Sequence, residues 1–193
     1  MPHVPAGVPV APLAAAIAVL AASRAREVIL SRRNEAAMRR RGGVEVAGSR
    51  LTLFAALHAL LPLALVAEVI GAGARPGGLW PLWLALWIVA EWLRFASMRA
   101  LGDRWSARIM VVPGEPLVRR GVYRCLAHPS YLAVTLEVLA LPLLFGAWRT
   151  ALVAGLANAL LVLDRIRREG RALSGISGPG YPSVPLPGPR APR

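Results

Sequence analysis

Lysine is absent from this chain, and all 23 of its basic residues are arginine. The bias matches GC-rich coding, and arginine suits phosphate and carboxylate partners better than lysine does. Cysteine is scarce as well. Cys125 is the only one, which rules out a disulfide within the chain and a CxxC metal or redox pair. Acidic residues number 10, leaving a net charge of +13. An excess of that size suits nucleic acid, but these arginines fall in loops between apolar runs, the distribution that orients membrane proteins. No nucleic-acid partner is expected. What is abundant is apolar surface. With 56% hydrophobic residues and a mean hydropathy of +0.52, the 193 residues carry more than a soluble domain of this length can bury. The chain reads as an all-α, polytopic integral membrane protein with membrane lipids around it.

About five transmembrane segments are predicted. The first runs from about Val8 to Ala22, with no positive charge before it, whereas a cleaved secretory signal has a basic start. The arginine-bearing stretch Ser23 to Arg50 follows and is assigned to the cytoplasm. Leu51 to Ile70 is long enough to span a hydrocarbon core of about 30 Å, and Gly71 to Gly78 turns the chain back through Leu79 to about Leu101. A second basic loop carries Arg104, Arg108, Arg119, Arg120 and Arg124. The apolar run Tyr131 to Leu163 is too long for one span, and Pro142, Gly146 and Trp148-Arg149 divide it into a helical hairpin. Only Arg75 and Arg149 lie on the opposite side, so the N-terminus is expected outside a bacterial plasma membrane and the C-terminus in the cytoplasm. Residues 1–173 form one domain. The Gly/Pro-rich tail 174–193 is expected to be extended or disordered.

Ionisable groups inside apolar segments need a partner or a function. Glu91 and Arg94, one helical turn apart, read as neutralising each other. Glu68 falls near the outer interface within reach of water, and His58 reads as a packing residue. Glu137 lies about 12 Å along its helix from Pro129 and needs a buried partner. A structural hydrogen bond and a cavity-lining role both remain open for it. Asn158, Val162, Arg165 and Glu169 are spaced by four, three and four residues and share one helix face, on which Arg165 and Glu169 can also form a simple surface pair. The proline of His128-Pro129 disfavours helical geometry at His128 and suits the first helical position, so a helix is expected to start at Pro129. His128 then sits at a helix N-terminus, beside unpaired backbone N–H groups.

Gly121-Val122-Tyr123-Arg124, His128-Pro129-Ser130-Tyr131 and Arg165-Ile166-Arg167-Arg168-Glu169 together resemble the isoprenylcysteine carboxyl methyltransferase superfamily. Leu101-Gly102-Asp103-Arg104-Trp105-Ser106 and Val112-Pro113-Gly114 extend the resemblance over roughly Arg94 to Leu173. Upstream, Ser31-Arg32-Arg33-Asn34 and Arg41-Gly42-Gly43-Val44-Glu45 resemble a bacterial branch with members that methylate alkylpyrones made by type III polyketide synthases. The resemblance implies an O-methyltransferase that takes its methyl group from S-adenosyl-L-methionine. The acceptor is a carboxyl or hydroxyl group of a lipid-like small molecule entering from the bilayer. It places cofactor binding at Tyr123, Arg124, His128, Pro129, Tyr131, Leu132 and Glu169, in cytoplasmic loops and helix ends. Arg165, Glu137 and Asn158 are the expected catalytic residues, and no metal is expected. Two positions depart from the signature: Ala127 stands where the family has arginine, and Gly170 where it has a second glutamate. Arg124 is a candidate to replace the missing arginine. Sterol-reductase relatives share a His-Pro region and use NADPH, so a membrane reductase is the alternative enzyme class. The two departures also admit a degenerate, non-catalytic membrane protein.

Overall fold

The first helix, α1 (Val10–Arg40), is twice the length that its apolar start predicts. The basic stretch after Ala22 does not leave the helix, because the 3.6-residue stripe begun by Leu13, Ala16 and Leu20 continues through Glu27, Ser31, Asn34 and Met38, all buried. Arg26, Arg32, Arg33, Arg39 and Arg40 occupy the exposed side. The expected cytoplasmic loop is therefore helical up to Arg40. This computed structural model describes residues 9–46, 50–116 and 118–174. Apart from Ser174, the Gly/Pro-rich tail lies outside the described residues.

Four further helices follow. They are α2 (Leu51–Val66), continued by a π-helical turn (Ala67–Gly71), then α3 (Trp80–Leu101), α4 (Pro129–Leu144) and α5 (Trp148–Ser174). The chain is all-α apart from a two-residue antiparallel bridge, in which β1 (Val44–Glu45) pairs with β2 (Met110–Val111). α4 starts at Pro129, with His128 as the non-helical residue before it. The long apolar run breaks at Phe145, Gly146 and Ala147. Gly146 adopts φ +74, and a Cβ there would meet the Arg75 carbonyl oxygen at 1.9 Å, so only glycine fits where the hairpin turn crosses the 71–78 turn.

α4 is the central helix, with α3 on one side and α5 on the other, while α5 also packs against α2. Leu13, Leu20, Leu61, Leu65, Val69, Val134, Val138 and Leu141 form one core joining α1, α2 and α4. Among the described residues, one helix, residues 51–71, is long and apolar enough to cross a membrane, and α4 is a shorter apolar helix. Large apolar side chains are exposed on α2, α3 and α5, among them Leu60, Leu63, Ile88, Trp92, Leu156 and Leu160.

Glu68 is not hydrated at an interface but buried, and it caps α5. It accepts from Arg149 N–H (3.1 Å), Thr150 N–H (2.7 Å) and the Thr150 hydroxyl (2.7 Å). The first backbone N–H groups of a helix have no partner within it, and here another helix supplies the carboxylate. Glu68→Ala is expected to cost about 1–3 kcal/mol by orphaning those donors. Thermal unfolding of the purified protein in detergent checks this, and an unchanged melting temperature would remove the capping role.

Candidate functional site

A cavity of ≈ 720 Å³ opens where α1, α2, α4 and α5 meet the 102–128 loop. Its floor is a buried charge cluster. Arg94 of α3 binds Glu137 of α4, which is fully buried, and lies 3.4 Å from Glu27 of α1. Arg24 of α1 bridges the same two carboxylates, at 2.7 Å from Glu27 and 3.4 Å from Glu137. Arg94 therefore does not pair with Glu91, one turn away. Glu91 instead accepts from the Ser23 hydroxyl at 3.2 Å. Long-range partners at the right depth replace the local one because the α3 face that carries Arg94 is the face packed on α4.

The roof is the loop after α3, held by the C-terminal half of α1. Asn34 Nδ2 donates to the Gly102 and Trp105 carbonyls at 3.0 and 2.7 Å. The Ser31 and Ser106 hydroxyls both donate to Glu35, and Ala107 N–H donates to Ser31. Arg108 reaches Glu45 at 2.6 Å and Glu35 at 3.3 Å, and its hydrogen bond to Glu45 raises the guanidinium above its ordinary range. Arg41 and Arg104 converge on Glu115, at 3.5 and 2.8 Å. These contacts give a segment with little regular structure a fixed path over the cavity.

At the mouth of the cavity, Tyr131 links three elements. Its hydroxyl donates to Glu169 and accepts from Arg165 Nε at 3.0 Å, and its ring stacks on His128 with centroids 5.2 Å apart. His128 Nδ1 lies 3.8 Å from the Glu169 carboxylate. Arg165 also donates to the Ala107 carbonyl and lies over the rings of Phe54 and Tyr131. Arg165 and Glu169 are thus joined through the tyrosine hydroxyl rather than as a surface pair. Tyr123, in the 3-10 turn Gly121–Arg124, lines the same cavity. Burial pushes its phenol above the ordinary value, so it stays a neutral hydroxyl.

Of the residues expected from sequence, Tyr123, His128, Tyr131, Arg165 and Glu169 line this one cavity, and Ala127 is on its wall. The other five do not. Leu132 is 42% exposed, because one residue beyond Tyr131 turns it about 100° around α4. Arg124 is exposed and does not line the cavity. Pro129 is buried in the first turn of α4 as a packing residue. Glu137 is sealed beneath the cavity by the two arginines. Asn158 is fully buried and donates to Thr135 at 3.1 Å, deeper in the α4–α5 contact.

Sequence reading missed Arg24, Glu27, Ser31, Asn34 and Glu35 as parts of the site. Their signal was available, since they continue the inward stripe of α1.

Glu137→Leu alone leaves Arg94 buried against Arg24 and is expected to cost about 3–5 kcal/mol. The double variant Arg94→Met, Glu137→Leu is expected to recover most of that loss. Equal melting temperatures for the single variant and the wild type would contradict the pairing.

The Isoprenylcysteine carboxyl methyltransferase (ICMT) family matches residues 83–175, which take in α3, the loop, α4 and α5. The chain is similar to the uncharacterized protein YpbQ of Bacillus subtilis, with 36% identity over 157 residues covering 81% of this chain and 94% of the relative. An uncharacterized protein of Haemophilus influenzae is 28% identical over 159 residues, covering 81% of this chain and 92% of that protein. No solved structure gives a significant match.

Proposed function

The chain belongs to the isoprenylcysteine carboxyl methyltransferase family, a family of membrane methyltransferases that use S-adenosylmethionine, and on that premise we propose that it is an S-adenosylmethionine-dependent O-methyltransferase. The acceptor is a carboxyl or hydroxyl oxygen of a hydrophobic small molecule, alkylpyrones being one such class. The observation that carries this reading is a cavity whose lining combines a cluster of polar side chains with apolar ones. Glu169, Tyr131, Arg165 and His128 converge where the loop meets α4 and α5, while Ile17 and Leu20 of α1 and Ala59 and Pro62 of α2 give the same cavity an apolar lining. The cavity volume falls in the range of about 300–1,000 Å³ usual for small-molecule sites.

The donor set fits the cofactor. An amino-acid tail carries a carboxylate and an ammonium, and the polar cluster offers guanidinium and imidazole N–H donors beside one carboxylate. Tyr123 and the 105–112 backbone offer further polar edges for a nucleoside. When bound, S-adenosylmethionine supplies an electrophilic methyl group on a sulfonium. The protein's part is then positioning and exclusion of water, which the pinned loop and the buried floor favour. No covalent nucleophile is required.

The exposed apolar surfaces of α2, α3 and α5 support a polytopic arrangement in lipid. The arginine distribution supports an outside N-terminus and a cytoplasmic site. On this reading the apolar lining of the cavity faces the bilayer, and the acceptor reaches it from there.

Calorimetry with S-adenosylhomocysteine on purified protein tests the reading. Binding is expected, and His128→Ala and Glu169→Ala should each weaken it about tenfold, the effect of losing one charged hydrogen bond, in proteins that still unfold in a single cooperative transition. Unchanged affinity in both variants would remove this site. Binding of NADPH in place of S-adenosylhomocysteine would exclude methyl transfer.

A further inference from the structure

We infer that Arg24 and Glu27 of α1 form a subsite for a second hydroxyl of the acceptor, one that is not methylated, which makes the acceptor an amphiphile with two separate oxygen functions. This deepens the methyl-transfer reading above and rests on it. Both residues line the cavity and keep accessible side-chain surface, 20% for Arg24 and 11% for Glu27. Their contacts with the protein use one terminal atom each. Arg24 Nη2 donates to Glu27 Oε1, to Glu137 and to the Ser23 hydroxyl, and Arg94 approaches Glu27 at the same Oε1. Arg24 Nη1 and Glu27 Oε2 take no part in these bonds, and neither is sealed away as Arg24 Nε is. The pair therefore presents an N–H donor beside a carboxylate oxygen.

That combination selects its ligand. The guanidinium and carboxylate lie 2.7 Å apart, so a ligand charge of either sign would meet its like in the pair as well as its opposite. A neutral hydroxyl accepts and donates at one atom and can bond both. It is not the oxygen that reacts. A guanidinium donating to the reacting oxygen would hold back the lone pair that has to move to the methyl carbon, and so would favour the ground state over the transition state. Position agrees with this. Arg24 contacts Glu137, which is six residues past Tyr131 on α4, so the subsite lies about 9 Å along that helix from the Tyr131 cluster.

Neither residue belongs to the region that matches the family, residues 83–175. That region supplies Tyr123, His128, Tyr131, Arg165 and Glu169, whereas Arg24 and Glu27 come from α1. Cofactor binding and acceptor choice thus reside on different parts of the chain.

The test compares binding of decan-1-ol and decyl methyl ether to the full-length protein in nanodiscs, with and without S-adenosylhomocysteine and corrected for uptake by empty nanodiscs. Wild type is expected to prefer the alcohol about tenfold, the effect of one charged hydrogen bond, because the ether accepts from Arg24 but cannot donate to Glu27. Glu27→Gln can turn N–H toward the ligand and should abolish the preference, while Glu27→Asp, which keeps the carboxylate, should retain part of it. S-adenosylhomocysteine affinity should be the same in all three proteins, which also reports that they fold. Absence of the preference from wild type, or its survival in Glu27→Gln, overturns the subsite, and the wild-type comparison decides even where a variant does not fold. Conversion of decan-1-ol to decyl methyl ether by wild type with S-adenosylmethionine would show that the hydroxyl held there reacts, and overturns its second, unmethylated role. Failure of wild type to bind S-adenosylhomocysteine overturns methyl transfer instead, and the comparison without it still decides whether the pair holds a hydroxyl.

Discussion

The ion pair between Arg94 and Glu137 is the constraint on which the placement of α1, α3 and α4 depends. Glu137 is fully buried, so its charge must be met by groups arriving at that depth, and among the described residues Arg94 and Arg24 form its ion pairs. Arg24 brings Glu27 with it, and Glu27 returns to Arg94. A closed set of this kind contributes little net stability compared with apolar packing, because desolvation offsets the attraction. Its effect is on register. Shifting α1 by one residue rotates Arg24 and Glu27 about 100° off the cluster and leaves buried charges unmatched.

That register carries through to the site. Once Arg24 and Glu27 are fixed, the same stripe aims Ser31, Asn34 and Glu35 one and two turns further along α1 at the loop after α3. The loop then lies over the cavity, with the Ala107 carbonyl held by Arg165 and Trp105 buried. Arg165 in turn orients the Tyr131 hydroxyl toward Glu169. A buried charge cluster and a hydrogen-bond set at the helix ends are thus one connected framework, and the cavity is the space between them.

The helices that end at glycine, proline or a sharp drop in hydropathy were legible in the sequence. α2 together with its π-helical turn, and α3, lie within a residue or two of their expected bounds, Pro129 opens α4 as the His-Pro pair requires, and the break before α5 falls at the expected Gly146. The second half of α1 was not. Composition changes from apolar to basic at Ala22, and that change hides a periodicity that continues unbroken through Met38. Glu68 was misplaced for a different reason, since its partners are backbone groups 81 and 82 residues away. In the site, helical spacing correctly grouped Asn158, Val162, Arg165 and Glu169, but depth then separated them. Asn158 is spent on Thr135, while Arg165 and Glu169 reach Tyr131. Spacing along one helix sets direction, and only the neighbouring helix decides what lies there.

The two departures from the family signature can be weighed on the same terms. Relative to that signature Ala127 removes a cation and Gly170 removes an anion, so together they leave the net charge unchanged, and of the two only Ala127 is among the residues lining the cavity. Arg124 is exposed and is not among the residues lining the cavity, so it does not stand in for the missing cation there. What remains is a smaller, self-consistent set in which Glu169 has Tyr131 and His128 as neighbours and Arg165 is held by Tyr131 and the Ala107 carbonyl. Losing both leaves the surviving glutamate and arginine matched through one tyrosine hydroxyl. The altered signature is therefore compatible with an intact polar cluster in the cavity.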